Sequence, residues 1–543
     1  MVGIEGIHGL CLTIFCLSIF GVFHSSRYEI KHQDIWIDRK EKHSSMSIVE
    51  KRRERSRKNS LDTKISGRNL FSRRFFLGSS IASIAAATAQ NARAAQRFPP
   101  DHVLATDPFR PITHFVAPRG WMNDPCGPIF VDGQYHLFYQ WNPEAAIWDN
   151  MHWGHATSPD LVNWEYKPVA LSPHHDGPER DGVFTGDVVV DGDRAVAIYT
   201  GFRFGRGQAQ IQCAAYSDRS MVHWKQAHEP VLATGPDHLH IGGFRDPKLW
   251  KEGDVWVMLV GSKIEGMGGV IFRYESRNLS DWTFIRVFYG PSALRGGDDV
   301  LECPDFFDLG SCHALIFSIN NVVHVISGTY NKGVFTPLRE DVLGHGGFYA
   351  ARSFVDQEGR RAVFGWLAEK PWQAGEAASR GWSGAMSYPR LVEADPTGKV
   401  RTVLHPAVET LIGEQMFAGR LEAPLNVAGP QVRIRLRFKA RTAGSVVFAH
   451  TDRYLHLDYN PDAGQGRFSC NEDDAPLAPT DDTTLDIFVD GAVIEIFSST
   501  GVVLNTRAYG NPSRPFTLTA SGCFEGARCE IHYLLAARFT TAG

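Results

Sequence analysis

Asp/Gly turns cut residues 109–405 into short apolar runs, and that rhythm restricts what this chain can fold into more than any other feature. Residues 135–139, 195–199, 255–260, 314–317 and 361–366 are brief, rich in β-branched and aromatic side chains, and bounded by Asp, Gly or Asn, so they read as strands. No long 3.6-period segment interrupts them. Val131-Asp132-Gly133, Asp191-Gly192-Asp193 and Glu252-Gly253-Asp254 each precede such a run, so a hairpin recurs at intervals of roughly sixty residues. About three hundred residues at that spacing give about five sheets, which suits a β-propeller of four-stranded blades; a large barrel or sandwich would share the texture.

Beyond residue 413 the alternation sharpens. Val432-Arg433-Ile434-Arg435-Leu436-Arg437-Phe438 has strict period two, apolar on one face and cationic on the other, as a half-exposed antiparallel strand requires. The arginine row reads as a solvated strand face. Residues 485–491 followed by 493–497 read as a hairpin, and the whole of 413–543 as a separate β-sandwich of ordinary size.

Residues 1–94 lie outside both textures. Residues 7–23 form an apolar run broken by His8, at the lower limit for spanning a bilayer. A basic, Ser-rich segment follows, and then Ser72-Arg73-Arg74-Phe75-Phe76-Leu77 precedes a mildly apolar stretch that ends in Ala92-Arg93-Ala94, an A-x-A cleavage pattern. This order resembles a twin-arginine export signal. It implies a periplasmic or secreted protein without a stable membrane anchor. The chain upstream is long for such a signal, which points to a translation start at Met46, with 7–23 not a native anchor.

Composition excludes some partners. At 543 residues the chain has room for roughly two to four domains. Its 56 basic residues nearly balance 60 acidic ones, so the bulk charge points to neither nucleic acid nor an acidic polymer. Thirteen Trp supply flat apolar faces suited to sugar rings, although the core is the commoner place for any one of them. Nine scattered Cys give neither a disulfide scaffold nor a Cys-x-x-Cys metal site. Cys523 and Cys529 are close enough to pair after export and equally suited to remain free thiols. His174-His175-Asp176 and His238-x-His240 lack further ligands at suitable spacing, so no metal and no cofactor are expected.

Three acidic motifs carry the chemistry. In Trp121-Met122-Asn123-Asp124-Pro125-Cys126-Gly127-Pro128 the prolines fix φ and remove backbone donors, so the stretch reads as a turn that frees Asp124 to face a cleft. Phe244-Arg245-Asp246-Pro247 sets Asp246 beside a cation, and Glu302-Cys303-Pro304-Asp305 sets Glu302 after an apolar pair. Cys126 and Cys303 have no base partner in sequence and read as packing residues. The three motifs fall in separate repeats, which in a propeller lets them converge on one axial pocket.

These motifs, in this order, resemble glycoside hydrolase family 32, the invertase, inulinase and levanase group, over nearly everything after residue 109. Cys126 stands where many members carry Asn, and Phe184-Thr185-Gly186 where Phe-Ser-Gly is usual. The resemblance implies an all-β fold, a five-bladed β-propeller over 109–412 followed by a C-terminal β-sandwich over 413–543. It implies a β-fructosidase that releases terminal non-reducing β-D-fructofuranosyl residues from sucrose, inulin or levan. Asp124 is then the nucleophile, Glu302 the general acid/base, and Asp246 the stabiliser of the transition state. Asn123, Gln140, Thr185 and Arg245 join the substrate-binding set, and Trp148, Phe184 and Trp366 are walls of the fructose pocket. A retaining double displacement needs the Asp124 and Glu302 carboxyls about 5 Å apart. Two neighbouring carboxylates should raise the pKa of Glu302, while Arg245 should keep Asp246 ionised and donors around Asp124 should keep it ionised. Acceptor choice resides in pocket shape, so a fructosyltransferase using the same residues is one alternative; a catalytically silent fructan-binding protein is another.

Overall fold

The structure, a computed structural model, describes residues 98–99 and 101–541 apart from 206–208, 293–298, 430, 450–452 and 510–514. The apolar run at 7–23 and the export signal lie outside the described residues. Among the described residues no helix is long and apolar enough to cross a membrane.

Strands dominate. Residues 120–404 pair mostly as successive antiparallel groups of four, each formed by strands that are neighbours in sequence. The groups begin at Gly120–Val131, Gly182–Asp191, Ile241–Glu252, Glu302–Asp308 and Phe348–Val355. Each of these first strands pairs with an apolar second strand: Gln134–Asn142, Arg194–Phe202, Val255–Ile264, His313–Ile319 and Arg361–Leu367. All five runs singled out in the sequence are these second strands. Buried side chains on adjoining groups, such as Val189, Val196 and Ile198 with Phe244, Met258 and Val260, merge into shared cores. This nearly all-β arrangement fits a β-propeller followed by a β-sandwich.

The first strands carry the departure from expectation. Residues 121–128 are not a turn: they lie within the strand Gly120–Val131. Met122 pairs with Trp141 and Pro125 with Tyr139, so one extra residue is held in a bulge at Asn123-Asp124. The prolines are tolerated because the bulge already interrupts the ladder that would need their missing N–H. The same slip recurs in every group. Val183 pairs with Gly201 and Gly186 with Tyr199; Arg245 with Gly261 and Lys248 with Leu259; Glu302 with Ser318 and Asp305 with Ile316; Tyr349 with Trp366 and Arg352 with Phe364.

After residue 412 the strands form two further layers. One runs from Ile412–Arg420 through Arg528–Leu534, Gln431–Ala440, Thr480–Asp490 and Val493–Ser498 to Val503–Arg507; the other is six-stranded and includes Gly444–Ala449 and Phe516–Gly522. Between them lie Val432, Ile434, Leu436, Phe448, Leu457 and Leu518, all fully buried. The predicted hairpin is present, with Asp490 opposite Val493. The arginine row is less solvated than expected. Arg433 is buried against Asp486 at 2.8 Å, whereas the pairs Arg437–Asp482 and Arg441–Asp481 lie in the open. Cys523 and Cys529 are both free thiols.

The strands after residue 412 are tied to the groups before them. His345 and Gly346 pair in parallel with Leu504 and Asn505. Nearby, His114 Nδ1 lies 2.8 Å from Asp490 and its Nε2 3.0 Å from Glu495, while Glu495 also pairs with Arg390. All four side chains are fully buried. Burial opposes a charged imidazole, yet the two carboxylates outweigh it and raise the His114 pKa. Removing one partner from such a set leaves an uncompensated buried charge. Glu495→Ala removes the carboxylate that answers Arg390 and leaves His114 with Asp490 alone, and should lower unfolding stability by about 3–5 kcal/mol. Denaturant titration monitored by Trp fluorescence measures it.

Candidate active site

The repeated bulge builds the site. It interrupts the two-residue alternation of a strand at one height in each group, so neighbouring side chains from consecutive groups face one another. Arg245, Glu302 and Tyr349 occupy the same position, just before the bulge, in three successive groups. They meet: Arg245 Nη2 and Nε donate to Glu302 Oε1 at 2.8 and 3.2 Å, and the Tyr349 hydroxyl donates to Oε2 at 2.5 Å. At the next position stand Asp246, Cys303 and Ala350, all with left-handed backbone, φ 65°, 48° and 53°. Non-glycine residues adopt that region only when their surroundings over-determine it, and it is concentrated at functional sites.

Asp124 lies one residue further along, level with Thr185 of the second group. Thr185 Oγ1 donates to Asp124 Oδ2 at 2.7 Å, and Asn123 Nδ2 to Oδ1 at 3.0 Å. Asn123 is itself oriented by the Trp121 indole N–H at 2.8 Å. The Cys303 thiol lies 3.4 Å from Asp124 Oδ2 and 3.6 Å from Asp246 Oδ2, and the Cys303 backbone N–H donates to the same Asp246 oxygen at 2.9 Å. The three carboxylates predicted from separate motifs are thus gathered around one cysteine and one arginine. Burial pushes the Cys303 and Cys126 thiols up, so both stay protonated and act as weak donors, not nucleophiles.

Two electrostatic expectations change. Arg245 forks onto Glu302 and reaches Asp246 only at 3.9 Å. Asp246 is accordingly not held in the ordinary carboxylate range: burial raises its pKa to about 6, and the opposing pull of Arg245 only partly offsets this. Asp124 receives the donors expected of it, but burial outweighs them and its pKa is also raised, with the Glu302 charge acting in the same direction.

The remaining predicted residues fall around this cluster. Gln140 is buried, its amide donating to Val183 O at 2.9 Å and lying 3.9 Å from Cys126 Sγ, so it ties the first two groups together. Phe184 is anchored through its carbonyl by the Trp153 indole at 3.0 Å, and Trp148 meets its ring edge-on at 5.7 Å. Trp366 packs against Trp121 at 5.7 Å, and its Nε1 is buried without a hydrogen-bond partner among the described residues. His174 pairs with Glu179 and His175 with the exposed Asp176, which leaves them in loop contacts. Asp356, Glu358 and His405 bring three ligand-type atoms within 4.8 Å, but Arg360 already supplies positive charge there, 2.7 Å from Asp356.

Sequence reasoning missed the supports of the carboxylates. Arg352, fully buried, donates to Pro304 O at 2.8 Å and Asp246 O at 3.0 Å, bracing two bulges at once. Thr200 Oγ1 accepts the Asp246 N–H at 2.9 Å and donates to Gln212, which in turn holds Phe244 O. Lys248 lies 3.3 Å from Asp187 and 3.5 Å from Asp305. The role of Tyr349 follows from its equivalence to Arg245 and Glu302, and that equivalence needs the strand register.

A cluster of acidic side chains that includes one carboxylate held by uncharged donors and another forked by arginine suits glycoside hydrolysis, which uses a pair of carboxyl groups. Comparison with known proteins makes the class specific. Residues 114–406 match the N-terminal domain of glycosyl hydrolases family 32. Sucrose-6-phosphate hydrolase of Escherichia coli is 32% identical over 464 residues, which cover 77% of this chain and 94% of that protein. Levanase of Bacillus subtilis is 32% identical over 461 residues, 72% of this chain and 65% of the relative. The structure of a family 32 β-fructofuranosidase of Bombyx mori superposes with a TM-score of 0.71 at 25% identity, covering 86% of this chain and all of that one. The chain belongs to glycosyl hydrolase family 32.

The raised pKa of Asp246 has a consequence for stability. Its folded value lies above the unfolded one, so its contribution favours the fold below about pH 4 and is lost as pH rises through about 6. Asp246→Asn should therefore melt higher than wild type at pH 7, by about 1–3 kcal/mol of stability, with the gain vanishing toward pH 4. Melting curves across that range measure it.

Proposed function

We propose that the protein is a β-fructosidase that releases terminal non-reducing β-D-fructofuranosyl residues from sucrose and fructans by a retaining double displacement. The observation that carries this reading is the convergence of Asp124, Asp246 and Glu302 on the Cys303 bulge. Asp124 attacks the anomeric carbon while Glu302 gives its proton to the leaving oxygen, which breaks the glycosidic bond and leaves a fructosyl ester on Asp124. Water then attacks that ester with Glu302 taking its proton, and Asp124 is released as the carboxylate. The Tyr349 hydroxyl suits this exchange because it both donates and accepts, so it serves Glu302 in either protonation state. Asp246 grips fructose hydroxyls, and Asn123, Thr185, Trp148, Phe184 and Trp366 shape the pocket.

The relatives, a sucrose-6-phosphate hydrolase and a levanase by name, support a fructoside as substrate. The five strand groups serve in this reading as the blades of a five-bladed propeller over 109–412, with the sandwich over 413–543. The resemblance of residues 72–94 to a twin-arginine export signal supports a periplasmic or secreted location in this reading.

Asp124→Asn should lower kcat by about a thousandfold or more while leaving the fold intact, with a melting temperature at or above that of wild type, since it replaces a buried nucleophile by an uncharged isostere. NMR of the first product formed from sucrose should show β-fructofuranose, the retained anomer. Turnover near wild type in the variant, or an inverted product, would refute the mechanism; oligosaccharides accumulating in concentrated sucrose would assign transfer instead of hydrolysis.

A further inference from the structure

An aromatic row leads away from the carboxylates. Phe184 precedes Thr185, whose hydroxyl holds Asp124. Its ring stacks on Phe202 with centroids 4.7 Å apart and planes 15° apart, and Phe202 meets Phe204 edge-on at 4.9 Å. Exposure rises along the row: Phe184 and Phe202 are half-buried, and Phe204 is 69% exposed.

A single exposed apolar side chain is ordinary. Phe204 differs in two respects: it ends a row of rings that begins at Phe184, next in the chain to the Thr185 that holds Asp124, and its backbone is tied down on both sides. The Phe204 N–H donates to Asp181 Oδ2 at 2.7 Å, its carbonyl accepts from Arg180 Nη2 at 3.0 Å, and Arg180 and Asp181 pair with each other at 3.0 Å. The Asp181 N–H donates to Phe202 O at 3.0 Å, which locks the two segments together. A ring whose backbone is fixed while its face stays in water is pre-organised to receive an apolar surface, with little ordering cost on binding.

The opposite side of the carboxylate cluster is closed. Lys248, Asp305 and Arg352, all buried, occupy the strand positions immediately past the bulges. A substrate with its terminal sugar at Asp124 must extend away from these buried residues, and the exposed end of the aromatic row is the apolar surface this geometry offers it.

We infer that Phe202 and Phe204 form a binding track for the sugars beyond the scissile bond, so that fructan oligosaccharides several residues long are better substrates than sucrose. This rests on the β-fructosidase reading. The rings lie against C–H faces of successive sugars, and the shared chemistry is that of inulin-type and levan-type chains alike.

The test is kcat/KM on sucrose, on inulin-type oligosaccharides and on levan-type oligosaccharides, for the full chain and for Phe204→Ala and Phe204→Trp. The expected result is that wild type favours at least one oligosaccharide class. Phe204→Ala should lower the ratio of oligosaccharide to sucrose kcat/KM about three- to tenfold, through KM, and Phe204→Trp should keep it. A ratio unmoved by Phe204→Ala, or wild type active on sucrose and on neither oligosaccharide class, overturns the track. Inactivity of wild type on all three substrates removes the β-fructosidase reading itself, and the track with it. Because Phe204 is so exposed, its loss should leave the melting temperature essentially unchanged, which separates binding from folding.

Discussion

One extra residue in the first strand of each group is the constraint on which the rest of the structure depends. In a regular strand successive side chains point to opposite faces, so no two neighbours share a target. The bulge breaks that alternation at a single height in all five groups, which turns Asn123 and Asp124, Asp246, and Glu302 with Cys303 toward each other. The left-handed backbone at Asp246 and Cys303 is the local strain of this arrangement, and the surrounding register holds it in place. Proline at positions 125, 247 and 304 fits because the ladder is already broken there.

Buried charge is managed by pairing across groups. Lys248 is shared between Asp187 and Asp305, Arg352 braces two main-chain carbonyls, and His114 and Arg390 answer Asp490 and Glu495 where the two strand layers meet. Each such group would be costly alone, and each fixes the relative position of segments far apart in sequence. The same logic governs the site. Arg245 is assigned to Glu302, and Asp246 is left to burial, so the two acidic residues experience different surroundings within one cluster. Asp124 is held by a hydroxyl, an amide and a thiol, none of which carries a charge.

Much of the fold was legible because the second strands are apolar, β-branched and bounded by turn residues, the strongest local signal a strand gives. The first strands were illegible for the opposite reason. Trp121 to Pro128 carries Pro and Gly where a regular ladder would exclude them, and local rules assign such a stretch to a turn. What local rules omit is that a bulged strand does not need every donor. The arginine row misled in a smaller way: Arg433 alternates with apolar residues like Arg437, yet Asp486 on the neighbouring strand covers it.

By itself the sequence determined the three carboxylates, the family they belong to and the β class, because those reside in short motifs and in two-residue periodicity. Only the tertiary structure decided which charge serves which carboxylate. Arg245 is adjacent to Asp246 in the chain, but adjacent residues on a strand diverge, and its fork closes on Glu302 from the next group. Tyr349, Cys303, Thr200 and Arg352 became part of the site for the same reason: their roles come from register between strands, which no single stretch of residues encodes.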